Sequence, residues 1–382
     1  MVKSDKKINA PQKAGLEGII AGDTNISYID GINGKLYYRG YSINDIATNC
    51  SFEETSFLLI YGYLPNEKEL YLFSKNLKRK RQLPEHIIKM INTFTKNMSS
   101  MEALRTVVSS LSSNDKDARF SSIEEKRETG ISIIAKMPTI VAYHHRIKNS
   151  KKIIKSNPKL GHAANFLYML NGEIPTDDKA EILDKDFVLH AEHGFNASSF
   201  SVRVTISTFS DIHSAYTTGI GTLKGPLHGG AASEVLSMLN EIKTPNNVEN
   251  YVNKKLLSHG RIMGYGHRIY KTYDPRAKIL KNMANNLSKN KNDNAFMQIG
   301  NKLEKIMADK KNIYPNVDFY SAIVYHTLNL KNELYSPIFA IARSSGWLAH
   351  ILEQYQNNRL IRPLENYTGK LDNNFIEINK RK

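Results

Sequence analysis

The chain has 382 residues, of which 41% are hydrophobic, enough to bury a sizeable core and, by length, to form two or three domains. Its single cysteine, Cys50, rules out a disulfide within the chain and any cysteine-rich zinc or iron–sulfur site, which favours a reducing compartment. Lysine and arginine outnumber aspartate and glutamate by 53 to 37, a formal charge of +16, so the excess must serve nucleic-acid binding, attraction of a small polyanion, or lysine-rich solvated faces.

Met1 to Ala14 is polar and lysine-rich without a period and is expected to fray. No charged leader precedes an apolar run, and no stretch of about 18 apolar residues occurs, so the expectation is a soluble, cytoplasmic protein with no membrane partner. Loose alternation from Ser27 predicts a short hairpin turning at Asp30 to Gly34. Helical patterns follow. Ser42 is placed to cap a helix carrying Ile43 and Ile46, and Ser51 opens a Ser-x-x-Glu capping box ahead of Phe57 to Ile60. Leu64-Pro65-Asn66-Glu67 and Leu83-Pro84-Glu85 open two more helices, with proline at their starts. Further apolar helices cover Met101 to Leu111 and Ile131 to Arg146, the second bent by Pro138, and Asn171 to Asp178 reads as a connection. Phe200 to Thr208 alternates and is β-branched, which predicts a strand; Asn286 to Asn294 reads as an exposed turn. The basic runs Lys75 to Arg81 and Arg146 to Lys159 carry no interleaved aromatic platform, which favours solvated faces over a nucleic-acid partner. The fold is mainly α, with any domains interleaved rather than in series.

Chemistry concentrates in four stretches. Lys224 to Glu234 sets His228 among three glycines after Pro226, a loop that presents an imidazole to a ligand or else merely packs it. A helix is expected just after it, whose positive end disfavours imidazolium and leaves His228 a neutral donor. His190 and His193 stand three apart on one predicted helical face ending at Gly194; an anion-binding or core pair is favoured over a metal, since no third ligand follows at a metal-site spacing. Gly264 to Arg276 again sets a histidine, His267, beside glycines and adds Arg268, Lys271 and Arg276, which suits a carbonyl substrate bearing carboxylates. Asp318 follows Pro315-Asn316 as a general base or a helix cap. Arg343 and Arg362 lie near the C-terminus. Nucleophile-elbow, phosphate-loop and dinucleotide fingerprints are absent and Cys50 has no nucleophile motif, so acid–base rather than covalent chemistry is expected.

Gly225-Pro-Leu-His-Gly-Gly230, Gly264-Tyr-Gly-His267 with Asp274-Pro-Arg276, Pro315-Asn-Val-Asp318 and Gly346-Trp-Leu-Ala-His350 together resemble the citrate synthase family, in matching order from about Gly15 to Gly369. The resemblance implies a mainly α-helical, two-domain fold with the active site in the interdomain cleft: residues 1–226 and 329–382 as the large domain, 227–328 as a small inserted one. It places helix, not strand, at Phe200 to Thr208. By motif, His228 binds the enol of acetyl-CoA, Asp318 removes the methyl proton and His267 polarises the ketone of oxaloacetate. His193, Arg276 and Arg343 hold its carboxylates, with Arg362 supplied by the other subunit of a homodimer. Arg261, Ile262, Gly264, Tyr265, Gly266 and Asn316 fall at the coenzyme A contacts. No metal and no cofactor beyond the thioester substrate is implied. The implied reaction is condensation to citrate, or to 2-methylcitrate with propionyl-CoA; a basic nucleic-acid-binding protein on the same fold is the remote alternative. Ser99-Ser-Met101, Ala322 and Leu364-Glu-Asn366 depart from the family pattern and bear on packing, the Asp318 helix and the intersubunit site. The length leaves little room for the extension of the NADH-regulated type, so no such regulation is expected.

Overall fold

The computed structural model describes residues 14–94, 96–114, 121–289 and 295–381. Strands β1 (Ser27–Asp30), β2 (Lys35–Tyr38) and β3 (Tyr41–Ser42) form one antiparallel sheet, with Ser27 opposite Tyr38 and Asp30 opposite Lys35. The predicted hairpin is therefore present. Asp30 closes its turn by accepting the backbone N–H groups of Ile32 and Asn33 at 3.1 and 2.9 Å.

The remainder is helical: α1 (Ile43–Asn49), α2 (Phe52–Tyr61), α3 (Glu67–Lys80), α4 (Glu85–Thr93), α5 (Ser100–Ser110), α6 (Ile123–Lys148), α7 (His162–Asn171), α8 (Asp177–His190), α9 (Ala197–Ser207), α10 (Ile212–Leu223), α11 (Ala231–Ile242), α12 (Val248–Leu257), α13 (Pro275–Lys289), α14 (Ala295–Lys311), α15 (Val317–Thr327) and α16 (Tyr335–Gln356). Starts follow the capping residues. Ser42 and Ser51 accept the N–H of Asn44 and Glu54, and Asn66, Ser99 and Ser122 complete reciprocal capping boxes with Glu69, Glu102 and Glu125. The prolines sit one step earlier than expected, since Pro65 precedes the Asn66 cap and Pro84 is itself the cap of α4; Pro275 does open α13. Pro138 lies inside α6, which continues through it.

Phe200 to Thr208 is not a strand. Asn196 caps α9 by accepting the N–H groups of Ser198 and Ser199, and Val202 with Ile206 and Ser199 with Arg203 bury one helical side against α10 and α16. Alternation lost to a cap and a four-residue burial period. The expected turn from Asn286 is also corrected, because α13 runs through Lys289; the rest of that stretch, like the fraying expected of the first thirteen residues, lies outside the described residues.

Helix α16 forms the centre. Nearly all its residues from Pro337 to Leu352 are buried, and it packs on α2, α6, α8, α9 and α10, which is why its sequence is apolar or small on every side. Helices α11 to α15 pack largely on one another, α13 and α11 against α15 and α12 against α14. The two basic runs meet in space: Arg81, 1% exposed, donates to the carbonyl of Asn157 at 3.4 Å and to that of Leu160, just past the second run, at 2.9 Å, and burial pushes its guanidinium pKa down to about 10. Arg81 is thus an anchor and not part of a solvated face. No helix among the described residues is long and apolar enough to cross a membrane.

Candidate active site

The His228 turn links α10 to α11. Gly229 donates to the Leu223 carbonyl at 2.9 Å, and a Cβ there would stand 2.4 Å from that same oxygen, so the tight turn admits only glycine. The turn aims His228 at the start of α9, where Nε2 lies 3.3 Å from the backbone nitrogen of Ser198 and 2.9 Å from its hydroxyl. A backbone N–H can only donate, so Nε2 carries the lone pair and the ring proton sits on Nδ1. Trp347 fixes the serine in turn, its indole N–H donating to Ser198 Oγ at 3.1 Å. Burial first, and the nearby Arg343 charge second, lower the His228 pKa to about 4. The neutral imidazole expected from the sequence is present, for these reasons rather than a helix end.

His267 is fixed in the opposite tautomer. Its Nδ1 accepts the N–H groups of Ile269 and Tyr270 at 3.0 and 3.2 Å, which leaves the proton on Nε2. Burial and Arg276 hold this imidazole too at about 4. The loop is seated by the hairpin: Lys271 donates to the Gly31 carbonyl at 2.8 Å, and a Cβ on Gly31 would lie 2.3 Å from the Ile269 carbonyl oxygen.

Asp318 is the second residue of α15. The cap is Asn316, whose Oδ1 accepts the Asp318 N–H at 3.1 Å, so the carboxylate is not spent on capping. It makes no hydrogen bond among the described residues. Its pKa is raised by burial, with His190 and Arg276 opposing and Asp274 adding to the rise. A carboxylate so placed is a stronger base than an ordinary one.

Arg276 is clamped by Asp274 through Nε at 3.1 Å and Nη2 at 2.8 Å, which leaves Nη1 without a hydrogen-bond partner among the described residues. Burial is the largest single influence and works against its charge, but Asp274, Tyr270 and Tyr38 together raise its pKa. Arg343, 1% exposed on α16, donates from Nε to the His190 carbonyl at 2.7 Å and lies over the Phe339 ring at 4.9 Å. Its Nη1 is buried with no hydrogen-bond partner among the described residues. Two buried guanidiniums each with an unused nitrogen are what a dicarboxylate needs.

His193 completes the group, with its ring 5.1 Å from that of His267. The expectation that it shares a helical face with His190 is corrected: α8 ends at His190, and His193 sits on the following loop, where Gly194 takes a φ of 59° beyond the helix end. The backbone turns at Ala191, so the two rings diverge, His190 Nε2 lying 3.3 Å from the Ser321 hydroxyl and His193 facing His267. Among the described residues no three His, Cys, Asp or Glu side chains are grouped to hold a metal.

The structure thus gathers His193, His228, His267, Arg276, Asp318 and Arg343. It does not gather Arg362, which is exposed on the extended segment after α16. In the stretch expected to meet coenzyme A, Asn316 donates from its side chain to the Gly266 carbonyl at 2.9 Å, Gly264 accepts the Asn316 backbone N–H at 2.9 Å, Ile262 is buried and Arg261 exposed. Tyr265 turns inward against Phe319, with ring centroids 5.0 Å apart. Sequence reasoning gave no role to Ser198, Trp347, Tyr270 and Phe339; Tyr270 lies within the Gly264 to Arg276 stretch and Trp347 within Gly346 to His350, whereas Ser198 and Phe339 stand in no motif. Phe339 touches both His228, at 6.0 Å between ring centres, and Arg343.

A model of the family described as "Citrate synthase, C-terminal domain" matches residues 15–364. The chain belongs to the citrate synthase family. It is 44% identical to citrate synthase 2 of Bacillus subtilis, covering 96% of this chain and 98% of that one, and 36% identical to 2-methylcitrate synthase 1 of Corynebacterium glutamicum, covering 97% and 98%. It superposes with a TM-score of 0.89, at 32% identity over 96% of this chain and 98% of the other, on the citrate synthase of Thermoplasma acidophilum in a ternary complex with carboxymethyl coenzyme A and oxaloacetate. The mainly helical architecture and the enzymatic character implied by the motifs therefore stand.

The depressed imidazoles of this citrate synthase family member make its stability sensitive to acid. In the unfolded chain His228 and His267 take up protons near 6.5, and in the folded chain only near 4. Between those values the unfolded state binds more protons, so stability falls as the pH falls. Asp318, with its raised pKa, acts in the opposite sense. A drop in melting temperature on the order of 5 °C between pH 7 and pH 5 is expected, and His228→Gln and His267→Gln should each flatten the profile. Profiles of wild type and both variants that run parallel would contradict the assignment.

Proposed function

We propose that the protein condenses acetyl-CoA with oxaloacetate and water to give citrate and free coenzyme A, the entry step of the tricarboxylic acid cycle. The observation that carries this reading is the opposed pair of tautomers beside an unspent carboxylate. His228 offers Nδ1–H and His267 offers Nε2–H, while Asp318 faces neither a cap nor a salt bridge.

A thioester methyl group is far too weak an acid for a carboxylate unless the enolate is stabilised as it forms. Asp318 takes the methyl proton while His228 Nδ1–H donates to the thioester oxygen. The enol carbon then attacks the oxaloacetate ketone, whose oxygen is polarised by His267 Nε2–H. Arg276 and Arg343 hold the carboxylates through their unused nitrogens, with His193 beside them. Water hydrolyses the citryl thioester and releases the thiol. The reaction needs no cofactor and no metal besides the thioester substrate.

The same reading divides the chain into a large domain, 1–226 with 329–382, and a small one, 227–328, that close on substrate. It places Arg261 to Gly266 and Asn316 at the coenzyme. It also makes the active enzyme a homodimer, in which Arg362 serves the partner's site, and sets it in the cytoplasm, where a chain with one cysteine is at home. The many lysines draw in the polyanionic thioester rather than nucleic acid or a membrane surface.

Release of free thiol on oxaloacetate with each thioester tests the function. Acetyl-CoA is expected to give the higher kcat/KM, with propionyl-CoA turned over more slowly, because one methyl group discriminates by roughly 10- to 200-fold. A higher value with propionyl-CoA would move the protein to 2-methylcitrate synthesis, the activity named for its Corynebacterium relative. No thiol release with either would end the enzyme reading.

A further inference from the structure

His193 and His267 come from loops far apart in the chain, and Tyr270 touches both. Its ring lies 4.6 Å from that of His267 and 5.6 Å from that of His193, and the residue is 3% exposed. The two contacts use different groups. Through its backbone N–H, Tyr270 joins Ile269 in donating to His267 Nδ1. Through its hydroxyl it reaches His193 Nε2 at 3.2 Å.

At His267 the direction of the bond is settled, because an amide N–H only donates. At His193 both directions are open on geometry, since a phenol and a neutral imidazole can each give or accept a proton. Burial raises the phenol pKa and, with Arg276 and His267, keeps the imidazole well below its ordinary value, so neither partner is charged. Between neutral partners the phenol O–H is the better donor and the imidazole lone pair the better acceptor. The ring proton of His193 then sits on Nδ1, which has no hydrogen-bond partner among the described residues. The reverse arrangement would leave a lone pair on Nδ1, which would repel a carboxylate oxygen.

We propose that Tyr270 is a positioning residue that sets the proton on two imidazoles of the oxaloacetate pocket at once, Nε2–H on His267 through its backbone and Nδ1–H on His193 through its hydroxyl. The identity of the ligand rests on the proposed function; the placement of the protons does not. Tyr270 touches no reacting atom in this scheme. It fixes which face of each histidine donates.

The test separates the two. In protein labelled with 15N-histidine, two-bond proton–nitrogen correlations report which ring nitrogen is protonated, and His193→Gln and His267→Gln assign the signals. Wild type is expected to show Nδ1–H at His193 and Nε2–H at His267. Tyr270→Phe, which removes one oxygen and keeps the ring, should leave His267 unchanged and move His193 wholly or partly to Nε2–H. Its oxaloacetate KM should rise about three- to tenfold with kcat within about twofold and the thioester KM unaltered, as expected for the loss of one neutral hydrogen bond. A packing role alone would move neither the tautomer nor the split between KM and kcat. Nε2–H at His193 in wild type, or an unmoved His193 tautomer in Tyr270→Phe, overturns the proposal. Absence of thiol release in wild type with the tautomers as stated would instead refute the function and leave the proton assignment standing.

Discussion

Asp318→Ala is expected to lower kcat by about 10²- to 10⁴-fold while oxaloacetate still binds, the range for loss of a general base. The structure supports the separation. Asn316 caps α15 whatever residue 318 is, the Asp318 carboxylate has no hydrogen bond among the described residues, and the guanidiniums of Arg276 and Arg343 are held by Asp274 and by the His190 carbonyl. Removing a half-buried carboxylate whose pKa is raised by its surroundings should cost the fold little, so a melting temperature near that of wild type is expected with it. His228→Ala belongs to the same class, at about 10²- to 10³-fold, since it deletes the proposed donor to the developing oxyanion. Near-normal turnover in a folded Asp318→Ala protein would remove the base from the mechanism, and calorimetry with oxaloacetate checks the binding half of the expectation.

The second large effect is a gain. His228→Ala and Arg362→Ala are each expected to be nearly inactive, and an equal mixture, after subunit exchange, should recover about a quarter of wild-type activity. Half the dimers would be mixed, and each mixed dimer would hold one site with both His228 and a partner's arginine intact. The position of Arg362 motivates the experiment: it is exposed on a segment that leaves α16, while the other proposed substrate residues gather in one place. Exchange is followed independently by tagging the two variants. A mixture as inactive as its parents, with exchange demonstrated, would confine Arg362 to its own chain or to no site at all.

Much of this was legible because caps and glycines act locally. Ser42 and Ser51 mark helix starts within one turn of sequence, and the glycines beside His228 and His267 mark the loops that carry them. Asp274-Pro-Arg276 likewise carries its own ion pair. What could not be read depends on partners far along the chain. The alternation of Phe200 to Thr208 gives way because α10 and α16 bury one helical side of it, and neither helix is visible from those nine residues. The histidine tautomers escape sequence reasoning for the same cause: Ser198 lies 30 residues from His228 and Trp347 another 149 from Ser198, and both residue types are chemically ordinary. That Asp318 is not the cap depends on Asn316, which occupies the N-cap position two residues earlier and accepts the Asp318 N–H.

The contact between the hairpin turn and the His267 loop also sets an order of events as the chain is made. Gly31 accepts from Lys271 across about 240 residues of sequence, so the hairpin is synthesised long before the loop it seats. Domains fold broadly from the N-terminus during synthesis, and contacts of such separation close late because the loop entropy must be met first. Until residues 264 to 276 emerge, the turn waits with Tyr28 and Ile32 exposed, as they remain at 64% and 80% in the finished protein. Most of the helical core can therefore assemble before the His267 imidazole is seated. In refolding, helix content should return ahead of activity, and a Gly31→Val chain should regain its circular dichroism at the normal rate while its enzyme activity lags or fails to appear.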